Sequence, residues 1–413
     1  MHPRVRSVED MTDVRESSPV RASALDLVEV PPPDRAPPGG PPPRRGKRTG
    51  WRRRRRWVAL LTIALLVPVT VSYIRALTYP GNATVLVRTV EWVRDHGGGP
   101  LVNAAENLYY RLHAPADGPP DPQSLPTVAK GAPAPGTVPA ALHTLLAPAL
   151  PGEGRWQQAS AIAGSPASVF TTFVRPDPNH ASVVAGVARF DQNLVATRLI
   201  AGTREPSGLG WPGGSRVPPQ VRASLLATFN SGFTMKDANG GFVADGRTAV
   251  PLRDGAASAV IDTAGKVRVG AWGRDVGPGP DVVAVRQNLD LVIDHGQVVP
   301  GLDVNADGRW GSASNQLQYT WRSGLGVTAD GGLVYAGGAG LTLSTLTAAL
   351  ADAGAVSAME LDIHSQMVDA FTYDHSAHLP DHLTGTPLLP SMPGPADRYL
   401  ESDQRDFFAV TAR

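Results

Sequence analysis

An uncharged run of eighteen residues, Trp57–Ile74, constrains this chain more than any other feature. Nine basic residues and no acidic ones precede it between Arg44 and Arg56. A run of this length is enough for a short membrane helix. A cleaved secretory signal normally starts nearer the N-terminus and ends at a small-x-small site. We therefore predict a single-pass signal-anchor in the plasma membrane, with a cytoplasmic N-terminus and an extracytoplasmic C-terminal domain.

Charge and cysteine content limit what the chain can bind. Residues 1–56 hold 14 of the 38 basic and 7 of the 37 acidic side chains, so the remainder holds 24 basic and 30 acidic ones. A mildly acidic body argues against a nucleic-acid-binding domain. The chain has no cysteine, which excludes disulfides, thiolate metal sites and cysteine nucleophiles.

Composition predicts five consecutive parts. A disordered, basic, Pro-rich cytoplasmic tail (1–56) precedes the transmembrane helix (57–77). A juxtamembrane helical segment (78–113) and a Pro/Ala/Gly-rich linker (114–150) follow. The linker would act as a stalk for the last part, an extracytoplasmic domain over 151–413.

The juxtamembrane segment has the pattern of two short amphipathic helices broken at Gly97-Gly98-Gly99. It carries three aromatic residues, Trp92, Tyr109 and Tyr110. These side chains would either rest at the membrane surface or pack on the globular domain.

Short apolar runs broken by Gly, Asp and Asn predict a sheet-dominated α+β domain with few helices. The candidate strands are Val169–Val174, Ser182–Arg189, Leu225–Phe229, Ala257–Asp262, Lys266–Gly270, Val282–Val285 and Leu289–Asp294. The sequences D-T-A-G-K (262–266), D-H-G-Q (294–297) and A-D-G-G (329–332) predict hairpin turns. Leucines at helical spacing predict one helix, Leu341–Ala353, ending at Gly354.

Two carboxylates stand at the end of another predicted strand, Val356–Leu361. Glu360 and Asp362 share one face of that strand, and charges there are costly to bury without partners. Arg322 offers either a planar clamp for a phosphate or a structural ion pair with one of these carboxylates. His364, two residues beyond Asp362, is a candidate proton shuttle or metal ligand.

Two further stretches leave alternatives open. The loop Asn230-Ser231-Gly232-Phe233 follows a predicted strand, and its amide either caps backbone or reaches a ligand oxygen. Trp321, with Trp310 and Tyr319, either forms an aromatic wall for a sugar ring or belongs to the core.

A calcium-loop pattern, D-x-N-x-D-G, is formed by Asp303, Asn305 and Asp307 ahead of Gly308. The twelfth loop position, which needs a bidentate Glu, is Ser314. We favour an Asx-rich turn here and keep calcium as the alternative. Nothing in the sequence requires a cofactor.

Four blocks in order resemble the phosphodiester glycosidase family. They are N-S-G-F (230–233), W-R-S-G-L-G-V (321–327), the helix ending at Gly354, and A-M-E-L-D (358–362). The resemblance covers roughly residues 160–413. It implies an extracytoplasmic domain that acts on, or binds, a sugar joined through phosphate.

Carried over position by position, the resemblance matches Asn230, Gly232, Arg322, Gly326 and Asp362 to the family pattern. The chain departs from that pattern in three places. Ser231 stands where the family has a glycine, Gly337-Gly338-Ala339 where it has a D-G-R turn, and Ile363-His364-Ser365 where it has a Gly-rich loop.

The residues and the resemblance together predict a membrane-anchored hydrolase that cleaves a sugar-1-phosphate diester in an envelope glycan or sugar-phosphate polymer. Asp362 would be the principal carboxylate, with Glu360 or His364 as its proton partner. Arg322 would hold the phosphate and Asn230 the sugar or a phosphate oxygen, with a divalent cation optional. Two alternatives remain open. One is an inactive glycan-binding or scaffolding module of the same fold; the other is a purely structural network of the arginine and both carboxylates.

Overall fold

The computed structural model describes residues 48–127, 138–160, 162, 165–206, 210–312, 316–375, 383 and 385–413. Most of the predicted cytoplasmic tail lies outside these residues. The chain divides into two units, Met1–Ala64 and Leu65–Arg413, and the site described below belongs to the second.

The predicted membrane segment is part of a longer helix, α1 (Arg48–Leu77). Its apolar part, Trp51–Leu77, spans 27 residues with a mean hydropathy of 2.1. In the described part of the chain it is the one helix long and apolar enough to cross a membrane, a property that anchors and signal sequences share. The helix starts earlier than predicted because the basic residues before Trp57 have high helix propensity.

Two helices follow, as the pattern predicts. Helix α2 (Val85–Val93) begins at Thr84, whose hydroxyl caps the backbone N–H of Val87. A π-helical turn, Arg94–Gly98, joins it to α3 (Gly99–Leu112). Gly97 has a φ of 85° inside that turn, which is where the predicted break falls.

The globular part consists mainly of strands. In chain order they are β1 (Gln157–Gln158), β2 (Val169–Val174), β3 (Ala185–Phe190), β4 (Val195–Ile200), β5 (Leu225–Asn230), β6 (Phe242–Ala244), β7 (Arg247–Val250), β8 (Ala257–Asp262), β9 (Val267–Ala271), β10 (Val282–Gln287), β11 (Leu291–Asp294), β12 (Gln297–Val298), β13 (Thr320–Thr328), β14 (Leu333–Leu341), β15 (Ala355–Glu360), β16 (Ala370–Tyr373), β17 (Gly385–Pro387) and β18 (Phe407–Ala412). The predicted sheet-dominated α+β class is confirmed.

The strands form three sheets. The largest has the order β1-β2-β3-β14-β13-β15-β11-β12, and the other two have the orders β7-β6-β10-β8-β9 and β17-β16-β5-β18-β4. In the third sheet the last strand lies between β5 and β4 and pairs antiparallel with both. Two of the sheets therefore place β5, β15 and the start of β18 next to one another, which creates the site.

The three predicted hairpin turns are confirmed, because β8–β9, β11–β12 and β13–β14 pair antiparallel across them. The last of these turns shows that Gly337-Gly338-Ala339 was wrongly aligned with the family's D-G-R turn. The chain turns at Asp330-Gly331, whereas Gly337, Gly338 and Ala339 lie inside β14. Glycine is needed at position 338 because a Cβ there would meet the backbone oxygen of Val184 at 2.3 Å.

The predicted helix is α4 (Leu343–Asp352), which opens with a capping box between Thr342 and Thr345. Its buried leucines pack on the glycines of β13. A Cβ at Gly324 would lie 2.7 Å from Cδ1 of Leu350, so the glycine permits this close approach. The helix thereby fixes β13 and the neighbouring β15, which lead to the predicted site.

The chain just ahead of residue 151 packs on the domain. The N–H of Leu142 donates to the carbonyl oxygen of Gly154 at 2.8 Å, and the indole N–H of Trp156 donates to Ala140. Arg175 donates to the carbonyl oxygen of Pro148. The limits of the predicted parts of the chain stay predictions.

Candidate active site

Asn230, at the end of β5, ties two sheets together. Its amide nitrogen donates to the hydroxyl of Ser323 on β13 at 2.9 Å, and its amide oxygen accepts from the hydroxyl of Tyr335 on β14 at 2.9 Å. The Ser323 hydroxyl donates to the backbone oxygen of Asp362 at 2.9 Å. Because both ends of the Asn230 amide are engaged, this side chain positions the loop of Asp362.

Asp362 follows β15 and is 1% exposed. Its Oδ2 lies 2.8 Å from Nη2 of Arg405, and its Oδ1 accepts from the backbone N–H of His364 at 2.9 Å. The same Nη2 donates to the carbonyl oxygen of Gly232 at 2.9 Å. One arginine therefore joins the carboxylate to the N-S-G-F loop.

Sequence reasoning missed Arg405. It lies in the short segment D-Q-R-D just before β18, and no spacing within the sequence connects it to Asp362. Burial lowers the pKa of its guanidinium, but the carboxylates of Asp362 and Glu205 raise it above the ordinary value. Arg405 is therefore a permanent cation inside the site.

A second carboxyl group, Glu205, faces the same guanidinium. Its Oε2 accepts from the backbone N–H of Met235 at 3.0 Å. Burial raises the pKa of the Glu205 carboxyl, although the nearby Arg405 opposes that rise. The site thus holds one carboxylate ion-paired at close range and one that burial pushes towards its neutral form.

The N-S-G-F loop is held by the side chain of Asn288. The side-chain oxygen of Asn288 accepts from the N–H of Phe233, and its amide nitrogen donates to the carbonyl oxygen of Ser231. Gly232 has a φ of 154°, and a Cβ there would lie 2.2 Å from Oδ1 of Asn288. Only glycine fits at this position.

A second buried ion pair lies beneath the loop. Nε of Arg286 lies 2.7 Å from Oδ2 of Asp406, and both side chains are fully buried. Asp406 Oδ1 and the Nε of Arg405 have no hydrogen-bond partner among the described residues. Buried polar atoms of this kind mark a place where a ligand group can bind.

Arg322 and Glu360 form a separate buried network. Nη1 of Arg322 lies 2.7 Å from Oε1 of Glu360, and both side chains have no exposed surface. The guanidinium also donates to the side chain of Gln316 and to the carbonyl oxygen of Leu341. Burial raises the pKa of Glu360, and the guanidinium opposes that rise. Of the two predicted roles for Arg322, the geometry corresponds to the structural ion pair with Glu360.

The segment Tyr79–Leu112, named here the juxtamembrane cover, lies over the site. Nη1 of Arg94 lies 2.9 Å from Nε2 of His364, within hydrogen-bond distance. Oε1 of Glu91 lies 3.9 Å from Nη1 of Arg405. The cover therefore touches two of the residues that surround Asp362.

Further contacts hold the cover at its N-terminal end. The Tyr79 hydroxyl donates to the carbonyl oxygen of Thr203 at 2.8 Å, and the amide of Asn82 donates to that of Arg398 at 2.7 Å. Glu91 also lies 2.6 Å from Nη1 of Arg204. These polar contacts hold the N-terminal end of the cover on the domain, whereas the Trp92 indole contacts Ser72 of α1 and Tyr109 is 56% exposed. The two placements given for the aromatic side chains stay predictions.

Residues 223–370 match the family model described as phosphodiester glycosidase. This part of the chain is therefore similar to that family. The match contains Asn230, Gly232, Arg322, Gly326 and Asp362, the positions at which the sequence resembles the family.

Two solved structures are similar to this chain. One is the zebrafish N-acetylglucosamine-1-phosphodiester alpha-N-acetylglucosaminidase catalytic domain, auto-inhibited by its pro-peptide, with 16% identity, a TM-score of 0.37, and coverage of 63% of this chain and 88% of that chain. The other is a hypothetical protein from Synechocystis, with 14% identity, a TM-score of 0.34, and coverage of 60% and 63%. No curated protein matches the sequence. The family assignment therefore rests on the sequence match.

The three aromatic residues predicted as a possible wall for a sugar ring, Trp310, Trp321 and Tyr319, make other contacts. Trp310 is 2% exposed, and its indole N–H donates to the carbonyl oxygen of Leu291. Trp321 is half-buried and packs against the main core, and the Tyr319 hydroxyl lies 3.1 Å from Nδ1 of His180. These contacts correspond to the predicted core alternative.

The candidate calcium loop has the geometry of an Asx-rich turn. The side-chain oxygen of Asn305 accepts from the N–H of Trp310, and its amide nitrogen donates to the carbonyl oxygen of Gly311. Asp303 and Asp307 are exposed on either side. Because the Asn305 side chain is already engaged, calcium there stays an untested alternative.

Proposed function

We propose that this chain is a membrane-anchored, extracytoplasmic phosphodiester glycosidase that hydrolyses a sugar-1-phosphate diester in a cell-envelope glycan. The observation that carries the proposal is the buried pairing of Asp362, inside the family match, with Arg405. Hydrolysis of a sugar-1-phosphate bond requires a carboxylate and a cationic group, and this pair supplies both. One acts on water or on the anomeric carbon, and the other stabilises the departing phosphate.

Each role is assigned from the charged or hydrogen-bonding groups that the side chain still has available for a substrate. Asp362 is the principal carboxylate. Arg405 binds the phosphate, since its Nε is buried without a partner and guanidinium matches phosphate geometry. Glu205 and His364 are the proton carriers, one a carboxyl that burial favours in its neutral form and the other an imidazole within hydrogen-bond distance of Arg94. Glu360, the other predicted proton partner, is committed to Arg322.

In this arrangement the juxtamembrane cover controls access. Asp362 is 1% exposed, and Arg94 and Glu91 of the cover contact the residues around it. A glycan reaches the carboxylate only after these contacts separate. The described conformation is accordingly a closed one, and turnover requires the cover to move.

A binding module without turnover is the second candidate. It is favoured by the sequence Ile363-His364-Ser365 that follows Asp362, where the family has glycines. Side chains at these positions limit how closely a ligand approaches the backbone. The module would retain an envelope polymer through Arg405 and release no sugar.

Sugar release by the full chain in detergent distinguishes the two candidates. The substrates are N-acetylglucosamine-1-phosphate diesters and extracted envelope polymer, with and without calcium. We expect free sugar from the wild type and none from Asp362→Asn, assayed at a temperature at which the variant is folded. Asp330→Asn is the matched control, because it removes an exposed partner of Arg189 and should leave the rate unchanged.

The opposite results are equally informative. No release by the wild type, together with saturable retention on the polymer, would replace the hydrolase with the binding module. Equal rates for Asp362→Asn and Asp330→Asn would show that Asp362 takes no part in the reaction.

A further inference from the structure

Helix α3 exposes its apolar face, whereas a surface helix of a soluble domain normally buries that face. Leu101, Leu108 and Leu112 recur at spacings of seven and four residues, which places them on one face. They are 72%, 59% and 73% exposed. Ala104 and Ala105 are exposed on the same side. The apolar stripe thus faces away from the protein.

Glu106 and Tyr110 of α3 face inward. Oε2 of Glu106 lies 2.7 Å from Nη2 of Arg94. Burial raises the pKa of Tyr110, and interactions with the side chains of Thr320 and Ser365 oppose that rise. A surface helix in water normally turns its polar face to the solvent and its apolar face to the protein, which is the reverse of the arrangement in α3. An outer stripe of leucines requires an apolar medium on that side.

Helix α2 continues the exposed apolar surface. Val85 and Leu86 are both 66% exposed. The last turns of α1 contact the same region, since the indole N–H of Trp92 donates to the Ser72 hydroxyl and the Tyr73 hydroxyl lies 2.9 Å from that of Thr89. The apolar face of the cover is therefore continuous with the helix of membrane length.

We infer that the outer face of α3, with the start of α2, lies in the headgroup and acyl boundary of the same bilayer that α1 enters. Continuity with α1 favours a bilayer over a second copy of the chain as the occupant of this face. The residues at its rim support this placement. Tyr109 is 56% exposed and Arg111 is exposed, and such aromatic and basic side chains lie at the headgroup level of interfacial helices.

The test uses the absence of cysteine from the chain. Single variants Leu108→Cys and Leu112→Cys of the full chain receive an environment-sensitive fluorophore and are reconstituted in phosphatidylcholine–phosphatidylglycerol nanodiscs. Val298→Cys, at a 51% exposed valine of β12, is the matched solvent control. Leu61→Cys, in α1, is the matched membrane control. Spin-labelled lipid is then added as the quencher.

We expect blue-shifted emission and lipid quenching at positions 108, 112 and 61, and neither effect at position 298. Emission from positions 108 and 112 like that from position 298 would overturn the inference. Quenching of the Leu108→Cys label by a second labelled copy but not by lipid would also overturn it, in favour of dimerisation. None of these readouts depends on catalysis. The inference rests on the membrane anchoring in the proposed function, which the label at position 61 tests separately.

Discussion

Replacing Asp362 by asparagine tests whether its pairing with Arg405 stabilises the fold. The variant keeps the shape of the side chain and one acceptor oxygen but removes the negative charge. Arg405, 5% exposed as a residue, then loses its partner at 2.8 Å and keeps the carbonyl oxygen of Gly232. The cation is left only partly compensated in the interior.

The magnitude follows from burial. Hydrogen bonds to charged groups contribute roughly 1.5–3 kcal/mol, and breaking a buried ion pair outright costs about 3–5 kcal/mol. Because asparagine still accepts one bond, we expect a loss of about 2–3 kcal/mol. At roughly 2–4 °C per kcal/mol for a large domain, the Tm falls by about 4–12 °C.

Thermal unfolding of the full chain in detergent, followed by tryptophan fluorescence, measures this loss. The matched control is Asp330→Asn, which changes the same chemical groups in the ion pair with Arg189 at a carboxylate that is 69% exposed. Exposed pairs contribute at most about 1 kcal/mol. A Tm for Asp362→Asn no lower than that for Asp330→Asn would refute the reasoning that burial makes this pair strong.

Two further predictions concern backbone fit and titration. Gly232→Ala should destabilise the domain by roughly 2–5 kcal/mol in denaturant unfolding, and the control Gly331→Ala by about 1–2 kcal/mol. Both glycines have a positive φ, but only a Cβ at position 232 would meet another side chain. Equal losses for the two variants would show that this contact does not affect stability. Glu205 has a raised pKa in the folded state, so the stability from its bound proton is complete below its ordinary value of 4.5 and is lost as pH rises through the folded pKa. Glu205→Gln should therefore unfold at a higher Tm than the wild type near pH 7 and at the same Tm near pH 4, and a lower Tm near pH 7 would mean that the carboxylate is ionised and paired with Arg405.

The sequence predicted elements where local rules decide. The hairpin at Asp330-Gly331 and the helix ending at Gly354 are specified by turn and cap residues a few positions apart. The strands β2 and β8 were predicted with their observed limits because each is a short apolar run between turns. Local chemistry was sufficient there.

The site itself could be predicted only in part. Asp362 was identified because a charged residue leaves an apolar strand, but its partner comes from 43 residues further along the chain. Antiparallel pairing of β18 with β5 brings Arg405 into place, and that pairing has no signature in a single sequence. Glu205 was missed for the same reason, since it reaches the site from a loop after β4.

Arg322 illustrates the opposite limit. From the sequence, Arg322 was expected either to bind a phosphate or to form a structural ion pair with Glu360 or Asp362, and neither role was favoured. The choice depends on exposure, which is set by α4 and β14 packing over the strand. With no exposed surface and partners on every side, the guanidinium stabilises the sheet.

The position of β18 has a consequence for how the domain folds. This strand lies inside its sheet, between β5 and β4, although both of these strands come before it in the chain. Until residues 407–412 are available, both neighbours keep an unpaired edge and Arg405 cannot reach Asp362. The sheet pairing and the Asp362 ion pair therefore depend on one short segment, and removing residues 404–413 would take away β18 and Arg405 together.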